Sequence, residues 1–202
     1  QNVIAVGGGS TLAQVAKGVH KNISGIVVVP ARGGLGETVE VQANTVASVL
    51  AHGLSGQYRM LHMPDGLKEK AINLVLEANP DMQEILELIQ KADILIQGIG
   101  RSEDMANRRR VSPKLLKEIQ SSGAVGEAMG YYFDKNGKVV HETGSVGMKL
   151  KDLNKVRFVL AVSGGKSKGE AILSVLRAGG QTALITDEGA ARQIIKLIAE
   201  KR

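Results

Sequence analysis

VIAVGGGSTLAQVAKGV, residues 3–19, is the stretch on which the fold turns. Four apolar residues, Val3 to Val6, run straight into three glycines, and a helical pattern follows over 10–20. Apolar residues without alternation mark a strand buried on both faces, which is how strands of a helix-covered parallel sheet read. The same cadence recurs outward along the chain. GIVVVP (25–30) precedes PARGGLGE (30–37) and a long helical stretch at 38–54. A third strand is expected at 58–63, then helical segments at 67–77 and 81–91. ADILIQ (92–97) ends in Gly98-Ile99-Gly100. VRFVLAV (156–162) runs into SGGKSKGEA (163–171) with a helix over 167–178, and TALIT (182–186) is followed by a helix over 187–201. Repeated strand–turn–helix units predict a doubly wound α/β fold with a mainly parallel sheet. Ligands of such sheets collect at the carboxyl ends of the strands, where three of these glycine-rich turns fall.

One segment breaks the rhythm. Residues 125–150 read as a small β excursion, with Asp134-Lys135-Asn136-Gly137 as a hairpin turn, because Asn-Gly tolerates positive φ. Its Tyr131-Tyr132-Phe133 is a candidate interface or lid element. With no tandem repeat or low-complexity linker, the 202 residues read as one domain.

Composition narrows the chemistry. Aromatics are 2% of the chain, so packing must rest on Val, Ile, Leu and Ala, and the absence of Cys removes disulfides, thiolate nucleophiles and thiolate zinc sites. A cytoplasmic setting fits that absence. The net charge of +6 favours anionic partners, nucleic acid or phosphorylated small molecules. No apolar run approaches the roughly 20 residues of a membrane helix, so no membrane partner is expected. Gln1 enters a strand almost at once, which reads as an internal start with something expected upstream.

The turns carry the candidate binding residues. In GGGST (7–11), Gly8 and Gly9 let backbone approach a ligand, while the hydroxyls of Ser10 and Thr11 can cap a helix or meet phosphate. Neither a Walker loop nor a dinucleotide fingerprint is present; a plain capped turn is the competing reading. Arg32 and Gly33 follow the second strand, and a guanidinium there offers bidentate donors to phosphate. Gln42 is placed to reach a sugar hydroxyl or simply to sit exposed on a helix. In SGGKSKGEA two lysines flank Ser167 at a helix start, where the dipole disfavours cations unless an anion binds; Lys168 is the preferred contact. Within Arg108-Arg109-Arg110 one or two side chains are expected to face a phosphate, since three charges are too few for a nucleic-acid patch. Glu127, between a glycine and an alanine, can accept from sugar hydroxyls. His20, His52, His62 and His141 have no metal-binding spacing, and no carboxylate pair forms an acid–base set. No metal, cofactor or catalytic residue is expected.

Seven segments then go together: GGGSTLAQVA, VVVPARGGLGETVEVQANTVA, GIGRSEDMANRRRVSP, VGEAMGYYFDKNG, SVGM, AVSGGKSKGEAI and TDEGAA. In this order they resemble the effector-binding domain of SorC/DeoR-like transcription regulators over essentially the whole chain, nearest to members that repress lower-glycolysis genes. The resemblance implies a fold similar to the glucosamine-6-phosphate deaminase and ribose-5-phosphate isomerase group, with activity lost. It also implies an N-terminal DNA-binding domain outside these residues, a homo-oligomer (dimer or tetramer), and a phosphorylated-sugar effector, fructose-1,6-bisphosphate favoured. Carried over by position, Ser10, Thr11, Arg32 and Lys168 grip one phosphate, Arg108 or Arg109 the other, and Gln42 and Glu127 meet hydroxyls. Ser10 replaces the more usual Thr, and Arg101 and Lys166 replace acidic and small polar residues. An active isomerase or deaminase with Glu127 as base is the alternative.

Overall fold

The computed structural model describes residues 2–33, 38–63 and 69–200. Its first strand, β1 (Asn2–Val6), is buried from Val3 onward and leads into α1 (Ser10–Gly18). β2 (Ile26–Pro30) is buried at every residue. α2 (Ala43–Gly53), β3 (Gln57–Tyr58), α3 (Glu69–Glu77), α4 (Pro80–Gln90) and β4 (Ile94–Gly98) complete the first half. The second half holds β5 (Gly100–Arg101), α5 (Ser102–Arg108), α6 (Pro113–Ser121), β6 (Ala124–Ala128), β7 (Tyr131–Asp134) and β8 (Val139–Glu142). It closes with β9 (Phe158–Val162), α7 (Gly169–Ala178), β10 (Ala183–Ile185) and α8 (Glu188–Ala199).

Six strands form a parallel sheet in the order β10-β9-β4-β1-β2-β3. The α/β doubly wound expectation holds. Its two faces are separate cores. Leu12, Ala13 and Ala16 of α1 pack with Val46, Ala47, Leu50 and Ala51 of α2 on one face. Met82, Ile85 and Ile89 of α4 cover the other, together with Val146, Met148, Leu153 and Val156. Strands packed on both sides account for the unbroken Val/Ile runs.

The β excursion forms a sheet of its own, order β5-β6-β7-β8 and antiparallel, instead of extending the main one. Its hairpin is as expected. Asp134 Oδ1 accepts from the Asn136 and Lys138 amides at 2.8 and 2.9 Å, and Gly137 takes φ 87°. Tyr131-Tyr132-Phe133 is not an interface element, because all three side chains are buried within the chain. Tyr132 packs among Ala106 and Ile119 of α5 and α6, and Tyr131 and Phe133 pack with Ile172 and Val175 of α7.

Other differences have local causes. The helix expected at 38–54 is a 3-10 turn, Val39–Val41, then an extended Gln42 (φ −66°, ψ 143°), and α2 begins only at Ala43. The third strand shrinks to two residues, since the Asn44 amide takes over the role of a neighbouring strand at Leu61: it donates to the Leu61 carbonyl at 3.0 Å and accepts from its N–H at 2.9 Å. α5 and α6 were not expected, although Ser112 caps α6 through the Leu115 amide (3.3 Å) with Pro113 next. Residues 34–37 of the second turn, 67–68 of one expected helix and 201 of the last lie outside the described residues.

Candidate functional site

In the strand order the direction of winding reverses between β1 and β4, and a ligand crevice opens at the carboxyl ends beside such a point. The β1 turn shapes one wall. Gly9 has φ 116°, which a side chain resists, and a Cβ on Gly8 would come within 2.7 Å of the Val41 carbonyl. That carbonyl accepts from the Gly9 amide at 2.8 Å, so the break at Gln42 is what lets the segment before α2 dock on the turn. Gly9 is the N-cap of α1 and no side chain caps the helix. The first-turn amides and the Ser10 and Thr11 hydroxyls therefore remain at the crevice, a natural anion seat.

Arg32 follows β2 and is buried, 6% exposed. Its loop is held from above by the SVGM segment. Met148 N–H donates to the Ala31 carbonyl at 2.7 Å, Gly33 N–H donates to the Val146 carbonyl at 2.9 Å, and Arg32 bridges Gly147. The guanidinium fills the space where a Cβ on Gly130 would stand, 2.0 Å from Nη1. Gly130 also has φ 84°. Two requirements thus fix a glycine there: the backbone conformation and room for Arg32.

The second arginine centre is an ion pair. Arg109 Nη2 lies 2.9 Å from Glu127 Oε1, with both side chains almost fully enclosed, and Arg109 Nη1 donates to the Tyr132 hydroxyl at 2.9 Å. The Gly130 amide donates to the same Glu127 oxygen. Burial opposes the charge on Arg109, but the Glu127 carboxylate and Tyr132 outweigh it and raise its pKa above the ordinary arginine value. Burial, offset in part by Arg109, raises the Tyr132 phenol, keeping it neutral. Glu127 thus spends one oxygen on structure and turns Arg109 into a fixed wall.

A third cluster gathers at the mouth. Burial, then the like charge of Arg108, holds the Lys168 ammonium below the usual lysine value, and Asp104 offsets part of this. Lys168 therefore keeps company with Arg108 of α5. Its loop is positioned by Asp187, which caps α8 through the Ala190 amide (2.8 Å) and receives the Gly165 amide on its other oxygen. Arg101 also lines the pocket, 3.9 Å from Asp104, whereas Lys166 is exposed outside it.

One pocket collects all of the expected binding residues: Gly8, Gly9, Ser10, Thr11, Arg32, Gly33, Gln42, Arg108, Arg109, Glu127 and Lys168. Gln42, expected on a helix, is instead half-buried at the N-cap of α2. Sequence reading missed Gln97 at the end of β4, which also lines the pocket and is 2% exposed. The signal was there: one amide closing an otherwise apolar strand, ILIQ. Among the described residues no three His, Asp or Glu side chains are grouped to hold a metal ion.

The family model described as "Putative sugar-binding domain" matches residues 1–196. The chain belongs to the sugar-binding domain family of SorC-type transcription regulators. Relatives of this family include the central glycolytic genes regulators of Bacillus subtilis, 42% identical over 198 residues, and Priestia megaterium, 41% identical over 198. Each match covers 97% of this chain but 58% of the relative, so the chain spans little more than half of those proteins. A SorC-family regulator from Enterococcus faecalis superposes with a TM-score of 0.90 at 41% identity, covering 96% of this chain and 80% of that one. The full-length sorbitol operon regulator of Klebsiella pneumoniae shares the fold at 18% identity, TM-score 0.84, over 96% of this chain and 66% of the other. All of these relatives are named as regulators of genes, operons or transcription.

Proposed function

We propose that this chain is the effector-binding domain of a bacterial transcriptional repressor of glycolytic genes, and that its effector is a phosphorylated sugar, with fructose-1,6-bisphosphate favoured as inducer. The observation that carries this is the meeting, in one crevice, of two anion seats on opposite sides of the β4 end. One is the uncapped start of α1 with Ser10, Thr11 and Arg32; the other is Arg108 with Lys168. A ligand with a single phosphate occupies one seat, and a sugar bisphosphate of suitable length occupies both. In this reading Lys168 works with Arg108, while Arg109 shapes the wall through Glu127 and Tyr132. Gln42 and the remaining oxygen of Glu127 face hydroxyls.

The 58% coverage of the regulators from Bacillus and Priestia leaves room in such proteins for a DNA-binding unit. Operator DNA is then contacted through that unit, in a cytoplasmic homo-oligomer whose state the effector shifts. An effector moves such an equilibrium only through unequal affinity for its two states. Retained isomerase or deaminase activity is the weaker reading, because Glu127, its only candidate base, is committed to Arg109 and the Gly130 amide.

Thermal unfolding against fructose-1,6-bisphosphate, fructose-6-phosphate, dihydroxyacetone phosphate, inorganic phosphate and free fructose tests the proposal. Native-state binding raises the midpoint with ligand concentration. The bisphosphate should give the largest rise, strongly reduced in Arg32→Ala and Lys168→Ala. A response confined to another phosphosugar reassigns the effector, and silence throughout rejects the domain as a phosphosugar sensor.

A further inference from the structure

Gln97 is the last side chain of an apolar strand before Gly98, buried to 2% exposure, and its Nε2 has no hydrogen-bond partner among the described residues. A buried amide donor without an acceptor destabilises a fold, so natural proteins rarely keep one without a use. Arg109 Nε is likewise buried without a partner and Arg109 also lines the pocket, but its guanidinium is already held by Tyr132 and Glu127 through both Nη atoms. Of His141, Gln181 and Thr186, which also carry buried polar atoms without a partner, none lines the pocket. Gln97 does.

Its place in the sheet says what it would read. β4 lies between β1, whose turn holds Gly8 to Thr11, and β9, whose turn leads to Lys168. Gln97 pairs with Ala161 of β9, and Ile96 beside it pairs with Val6 of β1. A molecule bridging the two anion seats therefore crosses the end of β4, and its non-phosphate middle lies over Gln97. An amide both donates and accepts, which suits a hydroxyl and gives a phosphate nothing that the arginines do not offer better. We infer that Gln97 is a specificity-determining residue that hydrogen-bonds a hydroxyl of the sugar between its phosphates, so that the pocket selects polyol phosphates over other dianions of similar length. This rests on the effector reading above.

Isothermal titration separates the two. The wild-type chain is titrated with fructose-1,6-bisphosphate and with hexane-1,6-diol bisphosphate, which keeps two phosphates but lacks the hydroxyls. Gln97→Met and Gln97→Leu are titrated alongside. Both variants should bind the sugar bisphosphate roughly tenfold more weakly, the equivalent of losing one hydrogen bond, and bind the alkyl bisphosphate unchanged. Their unfolding midpoints in urea should stay level or rise, since an amide without an acceptor has been removed. Equal affinity of wild type and variants for the sugar bisphosphate overturns the role of Gln97 and leaves the effector reading standing. So does an equal loss for both ligands, or failure of both variants to fold, which would make the amide structural. A wild-type chain that binds neither bisphosphate rejects the effector reading, and the role of Gln97 falls with it.

Discussion

Arg108 and Arg109 are neighbours with opposite fates. α5 ends at Arg108, which stays exposed at the pocket mouth, while Arg109, one position on, turns inward to Glu127 and Tyr132. Three consecutive arginines look alike in a sequence; which one enters the interior depends on where the helix ends and on what β6 and β7 present to it. Because the pair is enclosed, breaking it should be costly: Arg109→Ala is expected to lose about 3–5 kcal/mol in urea unfolding, since it strands the Glu127 carboxylate. Replacement of Arg108 by Ala should cost little stability and act on affinity. Lys168 adds a pH signature. Its ammonium pKa is depressed in the free protein by burial and Arg108, and a bound phosphate raises it again. Affinity is therefore complete below the free-state pKa and falls as pH rises through it, beginning below the ordinary lysine value of 10.5. Titrations across alkaline pH should show this fall in the wild type and lose it in Lys168→Met; an identical fall in the variant would assign it to another group.

At the scale of elements, turns rather than helices build the site. Strand–glycine–helix units at 3–19, 25–33 and 156–171 could be read directly, because apolar runs and glycines are local signals. α5, α6 and the shortened β3 could not, because their reasons are tertiary. The Asn44 amide substitutes for a strand at Leu61, and the short α5 gains its place by packing Ala106 against Tyr132. Asp187 illustrates how an element holds a site it does not touch, capping α8 with one oxygen and anchoring the Lys168 loop through Gly165 with the other. Asp187→Ala should lose about 1–2 kcal/mol of stability as a helix cap, with phosphosugar affinity falling as well. Unchanged affinity alongside lowered stability would show that the loop is held by other means. Gly130→Ala is the sharper perturbation. It places a Cβ against the Arg32 guanidinium at a backbone angle of φ 84°, and should weaken ligand binding together with stability.

For the whole molecule, the two-faced parallel sheet does two things at once. It buries an apolar core on each side, and its order places the turns after β1, β2, β4 and β9 along one edge. The doubly wound class was legible from the buried strand runs, and the residues expected in its turns do line one pocket. The order of strands, and hence the position of Gln97 between the β1 and β9 turns, was not, since nothing in a single strand states its neighbours. The resulting central claim is that this crevice binds a sugar bisphosphate through both phosphates and leaves it chemically intact. Phosphorus NMR of fructose-1,6-bisphosphate titrated with the protein tests it most directly. Both phosphate resonances should shift or broaden, both should approach their free positions as the ligand is brought into large excess over the protein, and no new resonance should appear after a day. Unmoved resonances, movement of only one phosphate, or the growth of product signals would contradict it.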